Sequence, residues 1–421
     1  MAIEDVLIVI VGTLIICGIV AAANYAERER SGGLRNLVTG TLLVLGVALI
    51  LLMGAQVFAA YNVSDADTSD IPEKSAAWSG FAIAVVTMGL VMAIALRSVR
   101  EMLARWFPRH ADTPDADNYA YHQMDDQLTP ETEQSTGAED KPLFPQMLNY
   151  YTTDSAILPR PTNAPVLPSM PEWNQKVKRG NTSSTGYNPY SIVHTVALML
   201  SLYFLSSQFI GFVLSGGLEG IAEDYAAGIS AWDILLNGLP QVIIPIIGVG
   251  FGVRRNLVQT LKRLGLEVPT IEQLAVGFGV VILLFIFIVS VAIVWQGVVS
   301  DETFEEQNQA SDALSDSIGT LWMAFLISMT AGVSEEIAFR GALQPVFGLW
   351  PTAILFALFH MQYTLTPATL IILGVALAFG WLRRKYNTTV AILAHFLYNF
   401  VQLALAVSIP EDAASWIIRL F

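Results

Sequence analysis

The sequence predicts an all-α, polytopic membrane helix bundle, and three observations carry that prediction. Only 14% of the 421 residues are charged and 54% are apolar, whereas a soluble domain carries about 25% charged residues. The mean hydropathy is +0.54. Apolar stretches recur along the chain at about the 20 residues needed to cross the hydrocarbon core.

The stretches 5–25, 36–60, 78–97, 190–215, 232–252, 272–297 and 317–334 read as crossings. Shorter runs follow at 346–363, 367–382 and 389–408, so about ten hydrophobic segments are expected. The last few are short enough to be tilted, paired inside a bundle or partly re-entrant. The first run begins "MAIED", with two acids and no Lys or Arg. A retained helix is therefore expected there, not a cleaved signal peptide. Cys17 follows Ile16 and so lacks the small residue that precedes a lipoprotein cysteine. As the only cysteine it also excludes an intrachain disulfide and a cysteine-cage metal site.

Loop charges give an orientation, because cytoplasmic loops retain Lys and Arg. The basic loops are 25–35, 97–109, 176–179, 254–263 and 383–385. They alternate with acidic loops at 64–70, 218–225, 300–317 and 410–415, which places the N-terminus outside. The net charge of −14 is shared between outer loops and a long linker, and no nucleic-acid partner is implied. Between about 108 and 188 the composition turns to Pro, Asp, Thr, Ser, Asn and Gln without periodicity. Such a segment buries too little apolar surface to offset its ordering entropy, and a disordered cytoplasmic linker is expected. It divides the chain into an N-terminal three-helix membrane module over 1–107 and a C-terminal module over 189–421. The first has no ionisable residue deep in its apolar runs, and no internal repeat is evident.

Chemistry is therefore expected in the C-terminal module, where an Asp, Lys or Arg at a helix centre costs about 2.5–3.5 kcal/mol to insert. The stretch "AGVSEEIAFRGALQP" (331–345) supplies Glu335, Glu336 and Arg340, placed after an apolar run. "FALFHMQY" gives His360 and "AILAHFLYNF" gives His395 and Asn399. His110 and His122 fall in or beside the linker, and His194 stands near the start of a crossing. Glu336 and Arg340 are four residues apart and share a helix face, so they can pair. Glu335 is turned about 100° away. His395 and Asn399 stand one turn apart, and Phe356 lies one turn before His360.

Taken singly, each feature has a plainer explanation. The Glu336–Arg340 pair could be a structural ion pair, either histidine a hydrogen-bonded core residue, and Asn399 a helix–helix contact. Together they offer a base, a polarising partner and an oxyanion donor, which is what hydrolysis requires.

"EEIAFR", "FALFH" and "HFLYN" fit E-E-x-x-x-R, F-x-x-x-H and H-x-x-x-N in that order. The C-terminal module, roughly 190–408, thereby resembles the CPBP intramembrane proteases, also called the Abi or CAAX protease and bacteriocin-processing family. The resemblance implies about eight core helices around a hydrophilic cavity, in addition to the three N-terminal helices, and peptide-bond hydrolysis by an activated water. It implies Glu335 as general base, His360 as its partner on the water, and His395 with Asn399 on the oxyanion. Glu336 and Arg340 would support the geometry. A metalloprotease mechanism is the expectation carried forward, with a divalent metal such as zinc on Glu335, His360 and His395. A metal-independent glutamate mechanism stays open, since no H-E-x-x-H helix is present.

The expected partners are the lipid bilayer and a membrane-associated or lipidated protein or peptide substrate. The expected place is a bacterial cell membrane. A non-catalytic scaffold or small-solute transporter using the same polar cluster is the alternative, although the paired inverted repeats usual in transporters are not evident.

Overall fold

The structure, a computed structural model, describes residues 3–62, 73–108, 186–297, 317–360 and 368–408. Among them an isolated β-bridge joins Phe251 and Arg255. In chain order the helices are α1 (Ile3–Arg28), α2 (Gly32–Asn62), α3 (Lys74–Ala95), α4 (Arg97–Leu103), α5 (Ile192–Leu214), α6 (Leu218–Ala226), α7 (Ala231–Gly248), α8 (Leu257–Leu264), α9 (Ile271–Gln296) and α10 (Leu321–Glu335). A π-helical segment, Glu336–Leu343, follows. Then come α11 (Gln344–Phe347), α12 (Leu349–Phe359), α13 (Ala368–Lys385) and α14 (Thr388–Ser408). Each of the ten apolar runs thus carries a helix. Eight of the described helices are long and apolar enough to cross a membrane, with Leu321–Phe347 forming one of them.

The helix ends follow from local chemistry. Ser191 caps α5 by accepting from the His194 amide, and capping boxes start α7 (Ser230 with Asp233) and α8 (Asn256 with Gln259). Large apolar side chains such as Ile8, Leu51, Leu283 and Ile286 lie exposed along the long helices. On a water-soluble protein that much exposed apolar surface would be a liability; against lipid tails it is the expected outer face.

The three N-terminal helices pack against α5 and α7, and the described residues all fall in one compact unit. Ala23, Leu42, Val91 and Met199 are at the centre of that contact. Hydrogen bonds pin it, because in lipid a polar group does best by finding another protein group. Asn24 donates to the carbonyls of Ile247 and Gly248, both at 3.1 Å. Tyr203 donates to the Leu42 carbonyl at 2.6 Å, and the hydroxyls of Thr87 and Ser206 share a buried bond.

Most of the range predicted as linker, including His110 and His122, lies outside the described residues. Gly186 and Tyr187, within that range, are packed. The Gly186 amide donates to the Pro345 carbonyl at 2.7 Å and the Tyr187 amide to the Pro108 carbonyl at 2.8 Å. The Tyr187 ring is buried against Phe107, Phe347 and His194. Burial pushes its phenol up to about 12.

The C-terminal half is organised around α14, which packs on α9, α10 and α13. The crossing with α10 is close because of Gly332. A Cβ there would lie 3.1 Å from the Phe396 nitrogen and 3.2 Å from the Ile392 carbonyl oxygen, both backbone atoms of α14. Gly89 in α3 has nothing within 4 Å of such a Cβ. Gly332→Ala should therefore lower stability by roughly 1–3 kcal/mol through overpacking. Gly89→Ala should be neutral or stabilising, by up to roughly 1 kcal/mol. Thermal unfolding of the two purified variants checks this, and equal midpoints would contradict it.

Candidate active site

The site is built where one helix changes type. The α-helical ladder of α10 ends at Glu335, and Glu336–Leu343 continue as π-helix. Such segments are rare and frequent at functional sites. Three successive carbonyls of this segment accept guanidinium donors from elsewhere: Arg340 O from Arg383 Nε at 3.2 Å, Gly341 O from Arg263 Nη1 at 3.0 Å, and Ala342 O from Arg263 Nη2 at 3.4 Å. Arg263 is buried. Burial and the neighbouring Arg255, Arg383 and Arg254 push it down to about 9, which leaves it charged at neutral pH. Gly265 makes room: its φ of 72° is left-handed, and a Cβ there would sit 2.5 Å from Arg383 Cζ.

Apolar residues carry the helix through the charges. The apolar run predicted to end at 334 extends in the structure to Phe347, with Glu336 and Arg340 inside the span and not at its end. Ile337 and Phe339 are interleaved with them and buried. Glu336 is 0% exposed and Arg340 1%. Arg340 Nη1 donates to Glu336 Oε1 at 2.8 Å, and Nη2 donates to the Ala376 carbonyl at 3.2 Å. His395, on α14, places Nδ1 on the same Glu336 Oε1 at 2.9 Å.

Two phenylalanines wall in this network. The Phe356 ring lies 4.2 Å from Arg340 Cζ and edge-on to His395, with centroids 6.2 Å apart. Phe379 stacks on His395 at 4.9 Å and stands 5.9 Å from the guanidinium. A cation against aromatic faces in a desolvated site is favourable by about 2 kcal/mol.

Phe356 also reaches the second histidine. His360 is the C-cap of α12, and its Nδ1 is 2.9 Å from the Phe356 carbonyl. A carbonyl only accepts, so Nδ1 carries the proton, and in the neutral ring Nε2 presents the lone pair. Asn399 is half-buried one turn after His395 and makes no hydrogen bond to a described residue. Glu335 is half-buried, and its Oε2 is a buried atom without a hydrogen-bond partner, as is Oε2 of Glu336.

Glu336, Arg340 and His395 are thus joined in one network, and His360 connects to it through Phe356. Asn399 makes no contact among the described residues that ties it to the network, and Glu335 reaches it through its charge, which acts on Arg340. Phe379, the Ala376 carbonyl and the arginines Arg263 and Arg383 are additions that sequence reading missed. The "RRK" run at 383–385 reads in the sequence as loop charge alone, and nothing there pairs it with carbonyls of residues 340–342.

The expected metal ligands are Glu335, His360 and His395. Among the described residues no three His, Cys, Asp or Glu side chains are placed to hold a metal ion. His395 has one nitrogen committed to Glu336. A carboxylate on Nδ1 leaves the opposite nitrogen of His395 in the arrangement that metal-held histidines also have, and the steps proposed for this site use the chain's own residues.

Residues 317–401 match the family model described as type II CAAX prenyl endopeptidase, Rce1-like. All six polar residues of the site lie within that match. No curated protein and no solved structure matches the chain.

The two adjacent glutamates should separate in stability. Glu336→Gln removes the charge that balances buried Arg340 and should cost about 3–5 kcal/mol. Glu335→Gln breaks no bond to a described residue and should shift stability by under about 1 kcal/mol. Comparing thermal midpoints of the two variants reads the difference.

Proposed function

We propose that the chain, whose residues 317–401 match the type II CAAX prenyl endopeptidase, Rce1-like model, is an intramembrane endopeptidase of the CPBP/CAAX type. It hydrolyses a peptide bond of a membrane-associated or lipidated protein with a water activated by Glu335 and His360. The observation that carries this reading is a buried, unpartnered carboxylate oxygen on Glu335. It stands one residue before a glutamate that is fixed on two donors.

In this mechanism Glu335 takes one proton from the water as the water oxygen bonds to the scissile carbonyl carbon. His360, with Nδ1 held on the Phe356 carbonyl, accepts from the same water through Nε2 and orients it. The tetrahedral oxyanion is met by His395 and the Asn399 amide. Collapse breaks the C–N bond, and the leaving nitrogen receives the proton from Glu335. Glu336 acts through His395: a carboxylate on Nδ1 fixes the orientation of the ring.

Orientation of the site follows from loop charge. The acidic segment 300–317 precedes the span Leu321–Phe347, and the basic segments 254–263 and 383–385 lie at its other end. By the positive-inside rule the N-terminus is then outside, and Glu335 to Arg340 lie past the middle of the span towards the cytoplasm. Substrate reaches them from the cytoplasmic leaflet. Nothing in these residues calls for a prenyl group in particular.

Glu335→Gln, His360→Ala and His395→Ala, each shown to be folded, should lower cleavage of a membrane substrate by about 10²–10⁴-fold. Substrates are found by comparing membrane proteomes with active and Glu335→Gln protein. Full activity in all three variants would sink the protease reading. Glutamate-driven hydrolysis survives a chelator, so loss of activity on chelation and recovery with zinc would overturn the metal-free form.

A further inference from the structure

Four arginines gather behind the site with few acids to balance them. Arg254 and Arg255 end the loop after α7, Arg263 lies on α8, and Arg383 lies in the last turn of α13. Arg263 and Arg383 are adjacent, because they donate to the consecutive carbonyls of Gly341 and Arg340. Arg255 donates through Nη1 to the Val249 carbonyl, and Val249 packs with Leu264, the neighbour of Arg263. Arg254 donates to Asn24 at 2.7 Å. Among the described residues the carboxylates acting on Arg254 and Arg383 are Glu27, at 3.6 Å from Arg254, and Glu267 beside Arg383. Both Nη groups of Arg383 make no hydrogen bond to a described residue.

The surroundings fix the depth of this cluster. Leu257 and Val258 on α8, Val268 in the turn after it and Ile271 at the start of α9 are all exposed, Val268 to 95%. Exposed apolar side chains on a short basic helix between two spans belong at the boundary of acyl chains and headgroups. The guanidinium groups then lie at headgroup level, where planar forks match phosphate oxygens. Basic pockets between membrane helices take anionic headgroups in this way.

We propose that Arg255 and Arg383, backed by the charge of the buried Arg263, form a binding site for the phosphate of an anionic phospholipid headgroup. The lipid acts on the π-helical segment, because two of these side chains hold its carbonyls. A bound phosphate relieves repulsion among the guanidinium groups and steadies the segment that carries Glu336 and Arg340. This site is separate from the proposed catalytic one and does not require that the chain be a protease.

The test uses the full chain in nanodiscs of phosphatidylcholine, alone or with phosphatidylglycerol, at matched ionic strength. Lipid retained after exchange is read by native mass spectrometry, and the unfolding midpoint is read in parallel. Wild type should retain phosphatidylglycerol over phosphatidylcholine and unfold at a higher temperature with it. Arg255→Gln should weaken that retention about fivefold, the weight of one basic side chain at a membrane surface. Arg384→Gln, an exposed neighbour, should leave it unchanged. Equal retention of both lipids by wild type, or an equal loss in Arg255→Gln and Arg384→Gln, would overturn the proposal. So would inorganic phosphate in phosphatidylcholine discs raising the midpoint as much as the lipid does, since the site would then take free phosphate. If Arg255→Gln does not fold, Arg255→Lys replaces it, with the same reduced retention expected from loss of the fork.

Discussion

One carboxylate oxygen, Glu336 Oε1, receives Arg340 from its own helix at 2.8 Å and His395 from α14 at 2.9 Å. Both partners are buried, so each depends on this oxygen for what water would otherwise provide. The rest of the C-terminal half is arranged to make that meeting possible. Gly332 lets α14 come within backbone contact of α10 and so brings His395 alongside. Phe356 and Phe379 close the space around the guanidinium and the imidazole. The Ala376 carbonyl takes a second guanidinium nitrogen. Burying an ion pair is a poor way to gain stability, but it fixes which residue faces which, and that is what a reaction site needs.

The π-helical segment has its own requirement. Its carbonyls at 340–342 are served by Arg263 and Arg383, whose side chains come from segments distant in sequence. The geometry of the segment that carries Glu336 and Arg340 therefore depends on cations at its rear.

The sequence makes the helices legible because lipid imposes a length and a composition that can be read directly. The ten apolar runs and their helices agree to within a few residues at most ends; the main departure is the run at 317–334. There Ile337 and Phe339 continue the apolar pattern past the charges, but a change from α to π spacing leaves no mark in hydropathy. The pairing of Glu336 with Arg340 was readable from their separation of four. The bond from His395 to that same carboxylate was not, because it depends on how closely α10 and α14 cross. The capping boxes at Ser230 and Asn256 are local patterns and could be seen. Contacts of α1, α2 and α3 with α5 and α7 rest on Asn24, Thr87, Ser206 and Tyr203, polar residues too common in membrane helices to single out.

The hydrogen bond from the Tyr187 amide to the Pro108 carbonyl has a consequence for how the chain can change in length. Residues 108 and 187 are held side by side, so whatever is threaded between them begins and ends at one point on the bundle. Closing a longer loop there adds only about 0.6 kcal/mol per doubling of its length. The bundle is thereby a scaffold with a permissive splice point, where sequence can be inserted, exchanged or trimmed while the ten apolar helices keep their places.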